Sequence, residues 1–303
     1  MTSQMTFTEV SFGSAGDTCS AWHFAGAGSG FEGAPGRPVV VMAHGFAGTK
    51  DSGLQPFAER FAAAGLDVLA FDYRGFGTSA GQPRQTISID RQVQDFHSAV
   101  THAQTLADVD PARVVLWGSS LSGGHVIRVG AERADVAAVI SMTPLTDALA
   151  TGRLIMKQYS TTTALRSTAN GAVNRVAGRF GRAPIMMPVV ADPGESGALA
   201  LEGAVESYLS IAGPSWRNEV DASVGLELAK IRTKPYAKRL RAPLLVQIAD
   251  FDRYVPADAV AKTAVHGRAQ VHHYPCDHFD VWPGHDWFER AAADQVAFLR
   301  RVL

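Results

Sequence analysis

The hydrophobic positions in the first half of this 303-residue chain form short apolar runs separated by amphipathic stretches. Four runs are apolar along nearly their whole length, as in parallel strands covered on both faces: 38–45, 66–73, 113–120 and 136–144. Three stretches between them have helical periodicity: near 54–64, 88–107 and 122–133. This alternation predicts βαβ units and hence an open, mostly parallel sheet.

The pattern changes at both ends of this region. Two earlier runs, near 5–12 and 17–25, alternate between apolar and polar residues and predict an antiparallel pair at one edge of the sheet. After Asp147 the strand–helix alternation stops, and it resumes at Pro243 with two strand candidates, a helix near 257–265 between them, and a C-terminal helix. Since a long segment without strands in a compact α/β domain favours an insertion with its own structure, the sequence predicts a core of residues 1–147 and 239–303 and a helical lid at 148–238.

Composition and charge narrow the class of protein. The chain is 46% hydrophobic and 19% charged, with a net charge of −1, which is typical of a soluble globular protein. A near-neutral charge does not favour binding to nucleic acid. No apolar run approaches the roughly 20 residues that span a bilayer, and the N-terminus lacks the pattern of a signal peptide. We therefore expect a cytoplasmic protein with no membrane or nucleic-acid partner; a homodimer stays open.

Metal and disulfide chemistry have little support in the sequence. Cys19 and Cys276 lie far apart and match no metal or disulfide spacing, so both are expected to be reduced thiols. A metal site is an alternative for one group of side chains: His272, His273, Asp277 and His278. Adjacent residues of a strand face opposite sides, however, which disfavours that site. No metal and no organic cofactor are expected.

The segment LWGSSLSGG ends a strand candidate and contains three serines: Ser119, Ser120 and Ser122. A nucleophilic serine on a sharp strand-to-helix turn needs small residues two positions before and after it. Ser120 meets this requirement with Gly118 and Ser122, whereas Ser119 would have the bulky Trp117 two positions before it. Choosing Ser122 would move the turn into the helix. Ser120 is therefore the candidate nucleophile, although Ser122 replaces the last glycine of the usual Gly-x-Ser-x-Gly pattern.

Four further segments occur in a characteristic order around this turn: VMAHGFAG, FDYRGFGTS, LVQIADFDRYVP and YPCDHF. With the serine turn they resemble, from His44 to His278, the oxyanion loop, the loop after the fourth strand, and the acid and histidine segments of an α/β-hydrolase. The chain thus resembles a serine esterase-like member of the α/β-hydrolase superfamily. The resemblance implies a mostly parallel central sheet with helices on both faces and a helical lid.

The same resemblance implies a set of catalytic groups. His278 follows the last strand candidate and precedes the C-terminal helix, where the family places its histidine, and Asp252 follows the seventh strand, where it places the acid. Asp147, after the sixth strand, is the alternative acid. The oxyanion hole would consist of the backbone N–H groups of Phe46 and Leu121, with the latter directly after the nucleophile Ser120.

The predicted lid has seven bulky apolar residues: Met156, Tyr159, Phe180, Met186, Met187, Tyr208 and Trp216. We expect most of them to pack the lid itself and some to cover the serine, where they favour an acyl or alkyl group over a sugar or charged peptide. We therefore expect a serine hydrolase that cleaves a carboxylic ester of a small or medium apolar substrate through an acyl-enzyme. Alternatives with the same triad are a thioesterase or acyltransferase of a biosynthetic pathway, a peptidase, and a carbon–carbon bond hydrolase. A ligand-binding homologue without catalysis is a further alternative.

Overall fold

A computed structural model describes residues 7–31, 35–158 and 184–303. Its strands are β1 Thr8–Ser14, β2 Asp17–Phe24, β3 Arg37–Ala43, β4 Asp67–Phe71, β5 Val109–Ser119, β6 Val136–Met142, β7 Met186–Met187, β8 Val220–Asp221, β9 Leu244–Ala249 and β10 Gln270–Tyr274. Its helices are α1 Leu54–Ala64, α2 Ile89–Ala103, α3 Ser120–Glu132, α4 Ala148–Gln158, α5 Ala204–Leu209, α6 Val224–Leu228, α7 Lys234–Arg239, α8 Ala257–His266 and α9 Phe288–Val302.

Eight strands of the described ranges form one sheet, in the order β1-β2-β4-β3-β5-β6-β9-β10. Strand β2 is antiparallel to both of its neighbours, whereas β4, β3, β5, β6, β9 and β10 run parallel to one another. The predicted parallel sheet and the predicted antiparallel pair at its edge are both confirmed. The result is an α/β-hydrolase fold.

Helices cover both faces of this sheet, which explains the continuous apolar runs. All residues of β4 and β9 are buried. On β5, the Trp117 ring packs 5.3 Å from the Phe57 ring of α1, whereas the preceding residue, Leu116, lies beside Gly130 of α3. Because neighbouring strand residues point to opposite faces, α1 and α3 lie on opposite sides of the sheet.

The described part of residues 148–238 contains the helices α4 to α6, all of α7 except its last residue, and a small antiparallel ladder of β7 and β8. The hydrophobic pattern did not predict this ladder, because two-residue strands have no recognisable periodicity. Tyr159 and Phe180, expected in the lid, lie outside the described residues. The assignment of 148–238 as a lid stays a prediction. In the described ranges, every helix is too short or too polar to cross a bilayer.

Parallel strands bring their carboxyl ends to one edge of the sheet, and the loops that follow β3, β5, β9 and β10 therefore meet there. These loops carry the oxyanion segment, Ser120, Asp252 and His278. The topology thus places all five predicted site residues at the same edge, although they span more than 230 positions of the sequence.

Candidate active site

Ser120 occupies a strained turn between β5 and α3. It is the first residue of α3 and follows the last residue of β5 directly, with a φ of 53°. Non-glycine residues adopt this left-handed region at a cost, which is a feature of functional turns. The N–H of Leu145 donates a 2.8 Å hydrogen bond to the Ser120 carbonyl and fixes the turn. A Cβ at Gly118 would collide with the backbone oxygen of Ser122, so a glycine is required two positions before Ser120.

The two neighbouring serines have different surroundings. Ser122 is fully buried, and its hydroxyl donates a 2.7 Å hydrogen bond to the Ala43 carbonyl at the end of β3. Ser119 is also fully buried, and its hydroxyl has no hydrogen-bond partner within the described ranges. Of the three serines, only Ser120 is partly exposed. Ser122 therefore packs α3 onto β3, and its replacement of the usual glycine is accommodated by that hydrogen bond.

Asp252 and His278 form a hydrogen-bonded pair at the carboxyl ends of β9 and β10. The Nδ1 atom of His278 lies 2.5 Å from Oδ2 of Asp252, and their side chains are only 6% and 3% exposed. The other carboxylate oxygen, Oδ1, accepts hydrogen bonds from the backbone N–H groups of Tyr254 at 2.8 Å and Val255 at 2.7 Å. These two bonds orient the carboxylate towards the imidazole.

Electrostatics favour a basic imidazole at this position. Burial alone would lower the pKa of His278, but the charge of Asp252 and its hydrogen bond outweigh burial, and Asp277 adds to their effect. The net result is that the pKa of His278 is raised above its ordinary value of 6.5. Since Nδ1 binds Asp252, Nε2 is the nitrogen that is left to accept a proton.

The alternative acid has a structural role. Oδ1 of Asp147 accepts the N–H groups of Leu149 at 2.9 Å and Ala150 at 3.0 Å, which is the geometry of an N-cap at the start of α4. Asp250, two positions before Asp252, contacts Nδ1 of His273 at 2.6 Å. The structure thus brings Asp252, rather than either of these two aspartates, to His278.

The residues of the alternative metal site are separated into different contacts. His272 pairs with Asp294 at 3.1 Å, whereas the neighbouring His273 pairs with Asp250. Asp277 forms an ion pair with Arg253 at 2.5 Å. Among the residues that the structure describes, no three His, Cys, Asp or Glu side chains are grouped so that they could hold a metal ion.

Two other buried histidines are unsuited to act as the base. His44 is 4% exposed and stacks on Trp282 with ring centroids 4.9 Å apart, and burial lowers its pKa to about 3. His125 is also buried and contacts the side-chain oxygen of Gln92 at 2.9 Å, and burial again lowers its pKa to about 3. Both imidazoles are therefore neutral and serve to pack the loop after β3 and the helix α3.

The loop at residues 44–53, here called the oxyanion loop, lies directly against Ser120. A Cβ at Gly45 would lie 2.9 Å from the Cβ of Ser120, so only a glycine permits this approach. The next residue, Phe46, has a backbone N–H without a hydrogen-bond partner in the described part of the chain. The N–H of Leu121 lies in the first turn of α3, where helical hydrogen bonding leaves amide groups free. The N–H groups of Phe46 and Leu121 are thus not used by a described hydrogen bond, and their role as an oxyanion hole stays a prediction.

The oxyanion loop is attached to the core through Lys50 and Asp72. The ammonium group of Lys50 lies 2.7 Å from Oδ2 of Asp72, the Lys50 N–H donates to Oδ1 at 2.6 Å, and both residues are buried. Such a buried pair fixes the loop after β3 against the loop after β4. No pattern in the sequence distinguishes a buried lysine such as Lys50 from a surface one.

The same loop is also attached to the segment 208–215, which belongs to the predicted lid. The hydroxyl of Tyr208 donates a 2.6 Å hydrogen bond to the Phe46 carbonyl. The N–H of Ser215 donates to the carboxylate of Asp51 at 2.8 Å. The sequence predicts Tyr208 only as a bulky apolar residue of the lid, and it has no signal for the contact with Phe46 across 162 positions.

A cavity of about 830 Å³ connects these groups. Ser120, His278 and Phe46 line it together with Trp282 and Phe279 of the core. Its remaining described wall is mostly apolar and comes largely from residues 148–238: Leu149, Ile155, Met156, Met187, Leu199, Leu201, Tyr208 and Leu228. The described lining contains two permanently charged side chains, Arg153 and Arg253, and no acidic one. The arrangement suits a ligand with an apolar body whose reactive group reaches Ser120.

Comparison with known proteins agrees with this fold. The family described as serine aminopeptidase, S33, matches residues 34–276 of the chain. The quorum-quenching protein AidA of Acinetobacter baumannii is 35% identical over 269 residues, which cover 88% of this chain and 87% of that protein. The thiohydrolase aneE of Aspergillus aculeatus is 34% identical over 159 residues, 52% of this chain and 49% of that protein. The crystal structure of the α/β hydrolase GrgF from Penicillium superposes with a TM-score of 0.80 at 22% identity, covering 98% of this chain and 99% of that one.

Proposed function

Since the chain belongs to the α/β-hydrolase family described as serine aminopeptidase, S33, we propose that it is a serine hydrolase that cleaves a carboxylic ester. The observation that supports this proposal most strongly is the buried hydrogen bond between Asp252 and His278, in a cavity that also contains the strained Ser120. A relative that covers most of the chain, AidA, is described as quorum-quenching, but its name specifies no bond or substrate.

In the proposed reaction, the Ser120 hydroxyl oxygen attacks the ester carbonyl carbon while Nε2 of His278 takes the hydroxyl proton. Asp252 holds Nδ1–H and stabilises the imidazolium. The oxyanion of the tetrahedral intermediate accepts hydrogen bonds from the N–H groups of Phe46 and Leu121. His278 then gives its proton to the leaving alcohol as the carbon–oxygen bond breaks. Water then attacks the acyl carbon while His278 takes its proton; the bond between that carbon and the Ser120 oxygen breaks, His278 returns the proton to Ser120, and the acid is released.

The size and lining of the cavity favour a substrate whose bound part is an apolar acyl or alkyl group. Its volume of about 830 Å³ accommodates a small or medium ligand, and apolar side chains form most of its described wall. We expect the Leu149, Met156 and Leu228 side chains to contact that group. Hydrolysis should therefore be faster for aliphatic esters of medium length than for acetate.

The test is hydrolysis of p-nitrophenyl esters from acetate to dodecanoate by the wild type and by the Ser120→Ala and Ser122→Ala variants. Wild-type turnover that increases to a medium chain length, is retained in Ser122→Ala and is lost in Ser120→Ala supports the proposal. Turnover that survives Ser120→Ala would contradict the assignment of the nucleophile. A wild type that binds the esters without hydrolysing them would favour the alternative of a non-catalytic ligand-binding protein.

Thioester hydrolysis or acyl transfer is a second candidate function, and two observations favour it. One is the similarity to a protein described as a thiohydrolase. The other is charge. Arg153 lines the cavity, and the stretch of sequence from Ala148 to Ala191 contains no Asp or Glu. Its other basic residues are Lys157, Arg166, Arg175, Arg179 and Arg182. Basic side chains attract anionic groups, such as the phosphates of an acyl carrier.

A matched set of octanoyl substrates distinguishes the candidates: the ethyl ester, the N-acetylcysteamine thioester and the coenzyme A thioester. Higher kcat/KM for both thioesters would favour thioester cleavage, and a preference for coenzyme A that Arg153→Gln reduces would indicate recognition of its phosphates. Equal or lower activity on thioesters supports the ester hydrolase. Turnover of prolyl or aminoacyl anilides would instead indicate a peptidase.

A further inference from the structure

We infer that Tyr208 is a positioning residue for the oxyanion hole: it holds the peptide group that follows Phe46, and through it the Phe46 N–H. This inference rests on the proposed function, because it assigns a role in the same reaction. The hydroxyl of Tyr208 donates a 2.6 Å hydrogen bond to the Phe46 carbonyl, and the side chain is buried at 2% exposure. Burial raises the pKa of Tyr208 above its ordinary value of 10.0, so the hydroxyl stays protonated and remains a donor.

The backbone next to this hydrogen bond is strained. Ala47 has a φ of 51°, in the left-handed region that residues with a Cβ adopt at a cost. The Phe46–Ala47 peptide group therefore requires an external interaction to keep its orientation. Within the described residues, the carbonyl of this peptide group accepts a hydrogen bond from the Tyr208 hydroxyl. Without this bond, the peptide can rotate towards an unstrained conformation and displace the preceding Phe46 N–H from the position beside Ser120.

Two aromatic side chains hold the Tyr208 ring in place. Its ring packs on Trp216 with centroids 5.0 Å apart and on Phe279 at 5.8 Å. Phe279 follows His278 directly, and the two rings lie 5.3 Å apart. Tyr208 thus contacts both the oxyanion loop and Phe279, which is next to the predicted base His278, and it links these two parts of the site.

Further contacts fix the oxyanion loop to the segment 208–215. Gly213 N–H donates to the Ser52 hydroxyl at 3.3 Å, and Ser215 N–H donates to the Asp51 carboxylate at 2.8 Å. A Cβ at Gly213 would collide with the backbone oxygen of Asp51, so the two chains run in close contact. The segment 208–215 therefore forms part of the support of the oxyanion hole, and its residue Tyr208 also lines the cavity.

The experiment compares Tyr208→Phe with Tyr274→Phe. Tyr274 is an equally buried tyrosine outside the cavity lining, whose hydroxyl donates to Asp294 and accepts from Gln247. For Tyr208→Phe we expect kcat on a p-nitrophenyl ester to fall about tenfold, as for the loss of one hydrogen bond, with KM changed less than about twofold. Tyr274→Phe should lose thermal stability but keep kcat.

A second measurement distinguishes a specific loss of oxyanion binding from general damage to the fold. A trifluoromethyl ketone forms an adduct with the serine whose oxyanion occupies the hole, whereas the matching methyl ketone binds without an adduct. For Tyr208→Phe we expect the inhibition constant of the fluorinated ketone to rise about tenfold and that of the methyl ketone to stay unchanged. An equal loss for both ketones would mean that Tyr208 only shapes the cavity, and would overturn the inference.

The Ala47→Gly variant tests the strain directly. Glycine adopts the left-handed region without a penalty, so the peptide should need less support from Tyr208. We expect Tyr208→Phe to lower kcat by only about twofold in the Ala47→Gly background, against about tenfold in the wild-type background. Equal losses in the two backgrounds would contradict the role of strain. A wild type that reacts with neither ester nor fluorinated ketone would instead contradict the proposed function.

Discussion

The Nδ1 atom of His278 lies 2.5 Å from a carboxylate oxygen of Asp252, and both side chains are almost completely buried. The carboxylate also accepts two backbone hydrogen bonds, so the pair has a fixed geometry before any substrate binds. In the proposed reaction this contact sets both the orientation of the imidazole and the pH at which it loses its proton.

The pH dependence of kcat/KM should reflect that contact. His278 acts as a base only when it is neutral, so activity should rise with pH and reach a plateau above its pKa. Because Asp252 raises this pKa above 6.5, we expect the midpoint of the acidic limb to lie above that value. Initial rates of ester hydrolysis between pH 5 and about 9 measure it. A midpoint well below 6.5 would mean that burial outweighs the effect of Asp252.

Replacing the acid should abolish most of the activity without unfolding the protein. We expect Asp252→Asn to lower kcat about 10³- to 10⁴-fold, because an amide neither stabilises the imidazolium nor selects the required tautomer. Asp147→Asn is the matched control: it should retain kcat and lose at most about 1 kcal/mol of stability, since an asparagine still caps α4. The reverse outcome, a large loss in Asp147→Asn alone, would assign the acid to Asp147.

Gly118→Ala should disturb the serine turn. The new Cβ would collide with the backbone oxygen of Ser122, and we expect a loss of about 1–3 kcal/mol in the free energy of unfolding together with reduced kcat. Ser122→Gly restores the usual family pattern but removes the 2.7 Å bond to Ala43, so it should cost about 1 kcal/mol and keep its activity. Urea denaturation and ester hydrolysis measure both variants. A Gly118→Ala protein with wild-type stability would contradict this description of the turn.

Lys50→Met should leave the buried carboxylate of Asp72 without its cation. Breaking one side of a buried ion pair costs about 3–5 kcal/mol, and the oxyanion loop should become less ordered as well. Hydrogen exchange of the loop amides and urea denaturation report these two effects. The Lys50→Met/Asp72→Asn double variant is the control, since it removes the unpaired charge and should recover part of the lost stability. If the single variant is as stable as the wild type, the pair does not hold the loop.

Much of the fold could be predicted from the sequence because parallel strands covered on both faces have continuous apolar runs. The predicted helix near 54–64 is α1, Leu54–Ala64, whereas that near 88–107 ends earlier, at Ala103. Ser120, Asp252 and His278 each follow a strand of the same parallel sheet, so their order in the sequence was enough to predict that they meet at one edge. Predicting this part of the site required only the topology of the sheet.

The remaining features depend on contacts between distant loops, for which a single sequence has no signal. The Tyr208–Phe46 bond joins residues 162 positions apart, and the Lys50–Asp72 pair joins two different loops. The strand pair β7–β8 is too short to have a period. These contacts depend on side-chain packing in the assembled fold rather than on local propensity or hydrophobic pattern.

The most direct test of the nucleophile is intact-mass measurement of the wild type and the Ser120→Ala variant after treatment with a fluorophosphonate, followed by peptide mapping. We expect the wild type to gain one phosphonyl group on the peptide that contains Ser120, and Ser120→Ala to gain none. Labelling of both proteins, with the group mapped to Ser119 or Ser122, would contradict the central claim.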